Sequence, residues 1–140
     1  MLKLGTMNAI EEYKGLIVTN RRLEIVVVDD EEPITEVIKT YIECIDQNIN
    51  VHTFNDPVEA KRFISRNKLD VLITDYKMPL CDGLQLMEAA SPAVKKILVS
   101  GYISEIAEER LHKLNATFFE KPVPLRALAK IIAEQQMAVK

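Results

Sequence analysis

At 140 residues, with 48% hydrophobic and 28% charged side chains, the chain has the composition of one soluble globular domain and not of a disordered or fibrous protein. Its formal net charge is −3, and no basic cluster exceeds two adjacent residues, which excludes the basic stripe that direct nucleic-acid binding requires. Cys44 and Cys81 belong to no C-x-x-C and read as reduced thiols, and Leu16-Ile17-Val18 is too short for a signal sequence or a membrane span. The expectation is a cytoplasmic protein with no membrane contact.

Residues 1–22 show no sustained period and are expected to form an extension outside the core fold, leaving 23–140 as the domain. Ile25 to Val28 is a short apolar, β-branched run and reads as the first strand. Glu32-Pro33 opens a helix, since Pro suits the first turn and an acid favours the N-terminal dipole. Ile34, Val37, Ile38, Tyr41, Ile42 and Ile45 then recur at helical spacing. Val51 to Phe54 is a second strand. Asn55-Asp56-Pro57 caps a helix running to about Arg66, with Val58, Phe63 and Ile64 expected inward.

Val71 to Thr74 is the third strand, followed by a loop from Tyr76 to Asp82 and a short helix carrying Leu84, Leu86 and Met87, with Asp82 as its cap. Ile97 to Val99 is the fourth strand. Ser104 is expected to cap a helix with Ile106, Ala107, Arg110, Leu111 and Leu114. Phe118-Phe119 makes the fifth strand, and Lys121-Pro122 turns into a last helix with Leu125, Leu128, Ala129, Ile131 and Ile132 inward. Strict alternation of five strands and five helices predicts an α/β fold, a doubly wound five-stranded parallel sheet between two layers of helices.

The strand ends carry the chemistry. Asp29 and Asp30 follow the first strand, Asp75 the third, Ser100 the fourth and Lys121 the fifth. Ligands in open α/β sheets bind at the carboxyl ends of the strands, so these groups share one edge. Three nearby carboxylates repel unless a cation joins them, and with no soft ligand at hand a hard ion such as Mg²⁺ is the natural partner. A carboxylate beside such an ion can act as nucleophile toward phosphorus, with Lys121 and Ser100 holding phosphoryl oxygens.

At Val27-Val28-Asp29-Asp30-Glu31, at Asp75-Tyr76-Lys77-Met78-Pro79-Leu80-Cys81-Asp82-Gly83, at Ser100-Gly101 and at Lys121-Pro122, the chain resembles the receiver domain of bacterial response regulators. The resemblance runs from about residue 24 to 135. It implies a flavodoxin-like (βα)₅ fold and a phosphorylation-activated switch of a two-component or phosphorelay system. In that reading Asp75 is the phosphoacceptor, Asp30 a direct Mg²⁺ ligand with Asp29 acting through water, and the Lys77 backbone carbonyl a further ligand. Ser100 is the switch hydroxyl, where Thr is commoner, and Phe118 the switch aromatic, lacking a hydroxyl. Lys77 and Tyr102 flank the phosphoryl site, at positions that modulate dephosphorylation. Implied partners are a histidine kinase or histidine phosphotransfer protein and a downstream protein or fused output domain; a homodimer through the last two helices is compatible with the pattern.

Two other functions fit less well. A Mg²⁺-dependent aspartyl-phosphate phosphohydrolase of the haloacid dehalogenase type needs an acid two residues past its nucleophile, where Asp75 is followed by Lys77. A phosphate-independent pseudo-receiver usually lacks one of the pocket residues, and none is missing. The chain is thus expected to accept a phosphoryl group without being a turnover enzyme.

Overall fold

The computed structural model describes residues 22–101 and 108–138. The elements are β1 (Glu24–Val28), α1 (Glu32–Ile45), β2 (Asn50–Phe54), α2 (Pro57–Arg66), β3 (Val71–Asp75), α3 (Gly83–Ala89), β4 (Lys95–Ser100), α4 (Glu108–Leu114), β5 (Ala116–Glu120) and α5 (Leu125–Ala138). All strand pairs are parallel, in the order β2-β1-β3-β4-β5. The expected doubly wound sheet is therefore present. Residues 1–21, which hold nearly all of the expected extension, lie outside the described residues, as do Tyr102, Ser104, Ile106 and Ala107.

Strand alternation divides the core into two layers. Val26, Val28, Leu72 and Leu98 face one side and pack with Ala60, Ile64, Leu84, Leu86 and Met87 of α2 and α3. Ile25, Val27, Ile73, Ile97 and Val99 face the other, against Ile38 and Ile42 of α1 and Leu128 and Ile132 of α5. Both faces of the central strands are buried, which is why these strands are apolar throughout and do not alternate with polar residues.

Three expectations about packing are corrected. Val37 is 55% exposed and Ile45 also faces solvent, because the buried stripe of α1 runs through Thr35, Ile38 and Ile42. Val58 is 39% exposed, since α2 turns Pro57, Ala60 and Ile64 inward. The strands also reach further than their apolar runs. β4 begins at Lys95, and Lys96 within it is buried. The Lys96 ammonium donates to the carbonyls of Ser91 (2.8 Å) and Val94 (3.0 Å), so its stem crosses the core edge while its head remains hydrogen-bonded, and burial pushes its pKa down.

The readings of Asp82 and of the two cysteines are met. Asp82 caps α3 in a reciprocal arrangement with Gln85: each side chain accepts the other's backbone N–H. Met78 packs in the core, Cys44 and Cys81 are unpaired thiols, and His52 is a strand residue bonded to Glu24 at 2.8 Å. No helix among the described residues is long and apolar enough to cross a membrane.

Candidate functional site

β1 and β3 are neighbours, yet the chain leaves them toward opposite edges of the sheet, so a crevice opens between their carboxyl ends. The register pairs Val28 with Thr74, which brings the following residues, Asp29 and Asp75, side by side. On the next strands Asp75 pairs with Val99, and Ser100 pairs with Glu120, immediately before Lys121. Carboxylate oxygens of Asp29, Asp30 and Asp75 all lie within 4.8 Å of one another. The cleft above them has a volume of about 470 Å³ and is lined by Asp30, Glu31, Asp75, Lys77, Gly101 and Lys121.

The burial of these groups is graded. Asp29 is 3% and Asp75 7% exposed, while Asp30 stands at the surface. Lys121 spans the two buried acids: its ammonium donates to Asp29 Oδ2 at 3.1 Å and to Asp75 Oδ2 at 3.3 Å. Asp29 Oδ1 accepts the Glu31 N–H at 2.9 Å, and Asp75 Oδ1 accepts the Tyr76 N–H at 2.8 Å. One oxygen of each carboxylate is thus held by backbone and the other by the lysine. Ser100 is fully buried. Alternation places it on the same sheet face as Phe118, which pairs with Leu98 and is partly buried against the α2–α3 layer.

The electrostatics follow from this crowding. Burial first, and the charge of Asp29 second, push the Asp75 carboxyl above the ordinary range; Lys121 and the Tyr76 N–H oppose the shift without cancelling it. For Lys121, burial alone would lower the pKa, but its hydrogen bonds to and the charges of Asp29 and Asp75 reverse the direction. A folded-state carboxyl pKa above the unfolded value of 3.8 means that protonation favours the fold. That contribution is complete below the unfolded value and is lost as pH rises through the folded one. Asp75→Asn, uncharged and nearly isosteric, is therefore expected to raise the melting temperature of the EDTA-treated protein at neutral pH by about a few degrees. The difference should close as the solution is acidified toward the unfolded carboxyl value. A variant that melts below the parent at neutral pH would contradict this account.

Several residues have roles at the site that the sequence did not specify. Gly83 packs against the acceptor strand: a Cβ there would lie 2.1 Å from the backbone oxygen of Asp75 and 2.8 Å from Leu98 Cδ1. Thr74 Oγ1 donates to that same Asp75 carbonyl at 2.8 Å. Asn55, expected to share in capping α2, leaves the cap to Asp56 and bonds the Asp29 carbonyl instead. The donor set of the cluster consists only of oxygens, fitting a hard divalent cation.

A parallel sheet with an acidic, lysine-bridged cleft at its switch point defines a receiver-type signalling module. The sequence matches the response regulator receiver domain over residues 25–133, and the chain belongs to that family. A solved receiver domain from Clostridium thermocellum is similar at TM-score 0.73 and 27% identity, over 83% of this chain and 95% of that one. The autoinducer 1 sensor kinase/phosphatase LuxN of Vibrio campbellii is 25% identical over 118 residues, 82% of this chain and 14% of LuxN. The cyclic di-GMP phosphodiesterase response regulator RpfG of Xanthomonas campestris is 36% identical over 63 residues, 45% of this chain and 17% of RpfG. The chain thus spans less than a fifth of the length of either of these two relatives.

Proposed function

We propose that this receiver is a phosphorylation-driven switch in which Asp75 takes a phosphoryl group from a phosphohistidine of a kinase or phosphotransfer protein. The observation that carries the reading is the single ammonium of Lys121 shared between Asp29 and Asp75 within a cluster of three carboxylates. An Asp75 oxygen forms the new bond to phosphorus as the P–N bond to the donor imidazole breaks. Lys121 would follow the charge from the carboxylate to the phosphoryl oxygens, and the buried Ser100 hydroxyl would donate to one of them. Movement of Ser100 would free volume on the face it shares with Phe118, whose position packing alone governs. Asp29, Asp30, Asp75 and the Lys77 carbonyl are the groups that would hold Mg²⁺, which when bound neutralises charge on the phosphoryl oxygens. Such a change biases a two-state surface toward one partner-binding form.

RpfG is named for a phosphodiesterase and LuxN for a sensor kinase/phosphatase, so the likeness supports the receiver reaction and is neutral on what it drives. Incubation with acetyl phosphate and Mg²⁺, followed by intact mass measurement, tests the proposal. The expected result is one phosphoryl adduct in the parent, absent in Asp75→Asn and after EDTA. A folded parent that gains no adduct defeats the reading, and sustained phosphate release over many turnovers would place the chain among phosphohydrolases.

A further inference from the structure

Asp29 and Asp30 are joined by one peptide plane, and its orientation is held from outside the acidic cluster. The carbonyl of that plane, Asp29 O, accepts a hydrogen bond from Asn55 Nδ2 at 2.8 Å, across a separation of 26 residues. The same amide nitrogen donates its other hydrogen to Thr35 Oγ1 at 3.1 Å. Thr35 in turn donates its hydroxyl proton to the Glu32 carbonyl at 3.0 Å, which leaves a lone pair facing Asn55. The order of donation is consistent through the chain Asp29, Asn55, Thr35, Glu32. It links the end of β1, the loop after β2 and the first turn of α1.

Asn55 is exposed and does not cap α2, because Asp56 accepts the Val58 N–H at 2.9 Å. Thr35 is fully buried on the α1 stripe that otherwise carries Ile38 and Ile42. Its hydroxyl is satisfied as a donor by the Glu32 carbonyl, and it also accepts from Asn55. The side chain of Asp30 is exposed, so its direction depends on the peptide plane that carries it. The Asn55 side chain hydrogen-bonds the carbonyl of that plane and Thr35, and no carboxylate of the cluster.

We infer that Asn55, backed by Thr35, is a positioning residue for the cation site, holding the Asp29–Asp30 peptide so that both carboxylates face Asp75. The inference rests on the proposal above that the cluster takes Mg²⁺. Outer groups that orient metal ligands typically account for about 10–100-fold in metal affinity, and a loss in that range is expected for Asn55→Ala and Thr35→Val. Thr35→Ser keeps the hydroxyl and should retain the parent affinity.

Calorimetric titration of the full chain with MgCl₂, beside melting curves in EDTA, decides the matter. The expected result is weakened Mg²⁺ binding by Asn55→Ala in a variant that still melts cooperatively in EDTA, and recovery of binding in Thr35→Ser relative to Thr35→Val. Parent-like Mg²⁺ affinity in Asn55→Ala overturns the inference while leaving the proposed function intact, whether or not the variant melts lower. A parent that binds no Mg²⁺ overturns both.

Discussion

Replacing Lys121 with methionine is expected to slow phosphoryl acceptance from acetyl phosphate by about 10²–10³-fold, the usual cost of removing one preorganised donor from developing phosphoryl charge. The same change should move Mg²⁺ affinity in the opposite direction. Without an added cation, the Lys121 ammonium is shared by Asp29 and Asp75, so a divalent ion entering the cluster competes with it for the same oxygens. Methionine keeps most of the stem's packing and removes that competitor. The metal-free variant should be destabilised by about 1–2 kcal/mol, well below the cost of breaking a fully buried pair, because the Lys121 side chain retains 25% exposure to solvent screening. Its raised pKa means that this stabilisation is present below the unfolded lysine value and disappears as pH rises through the folded one. Mg²⁺ titration and adduct formation measured on the same variant separate the two roles. Loss of both together would show that Lys121 organises the cluster and does not compete with the ion.

Gly83→Ala is expected to destabilise the domain by about 3 kcal/mol or more, at the upper end of overpacking costs, and to lower the melting temperature by roughly 10 °C. Glycine is required here for space and not for conformation, since its φ is not positive. The obstacle is the backbone oxygen and carbonyl carbon of Asp75, 2.1 and 3.0 Å from the added methyl, together with the buried Leu98. Backbone in the middle of a sheet cannot swing aside as a side chain can. Relief would require α3 to retreat or the end of β3 to bend, and the second route displaces the phosphoacceptor itself. Gly101→Ala is the control, because a methyl group there meets nothing within 4 Å, and its effect on stability should stay within about 0.5 kcal/mol. Urea unfolding of the two variants gives the comparison; equal midpoints would mean that β3 and α3 adjust more freely than their packing implies.

Much of this site is visible before folding because its residues sit at the ends of short apolar runs. A run such as Val71-Leu72-Ile73-Thr74 has few alternatives to a buried parallel strand, and the acid that ends it must then lie at the sheet edge. Asp29, Asp75, Ser100 and Lys121 were legible for that reason, and Asp82 for its capping pattern. The stripe of α1 was less so: Val37 fits a generous i, i+3, i+4 pattern but lies off the narrower line that Thr35, Ile38 and Ile42 take against the sheet. Lys96 looks like a loop residue by charge, and only two nearby carbonyls make its burial tolerable.

The order of elements, the parallel sheet and the set of groups delivered to its edge can be read from the chain directly, because side-chain period and strand length are local properties. Tertiary structure alone decided which of those groups touch. Lys121 reaches Asp29 across 92 residues, Asn55 reaches the Asp29 carbonyl across 26, and Gly83 leaves room for the Asp75 backbone. These contacts depend on strand register and on how closely each helix seats against the sheet, and no local pattern encodes either distance.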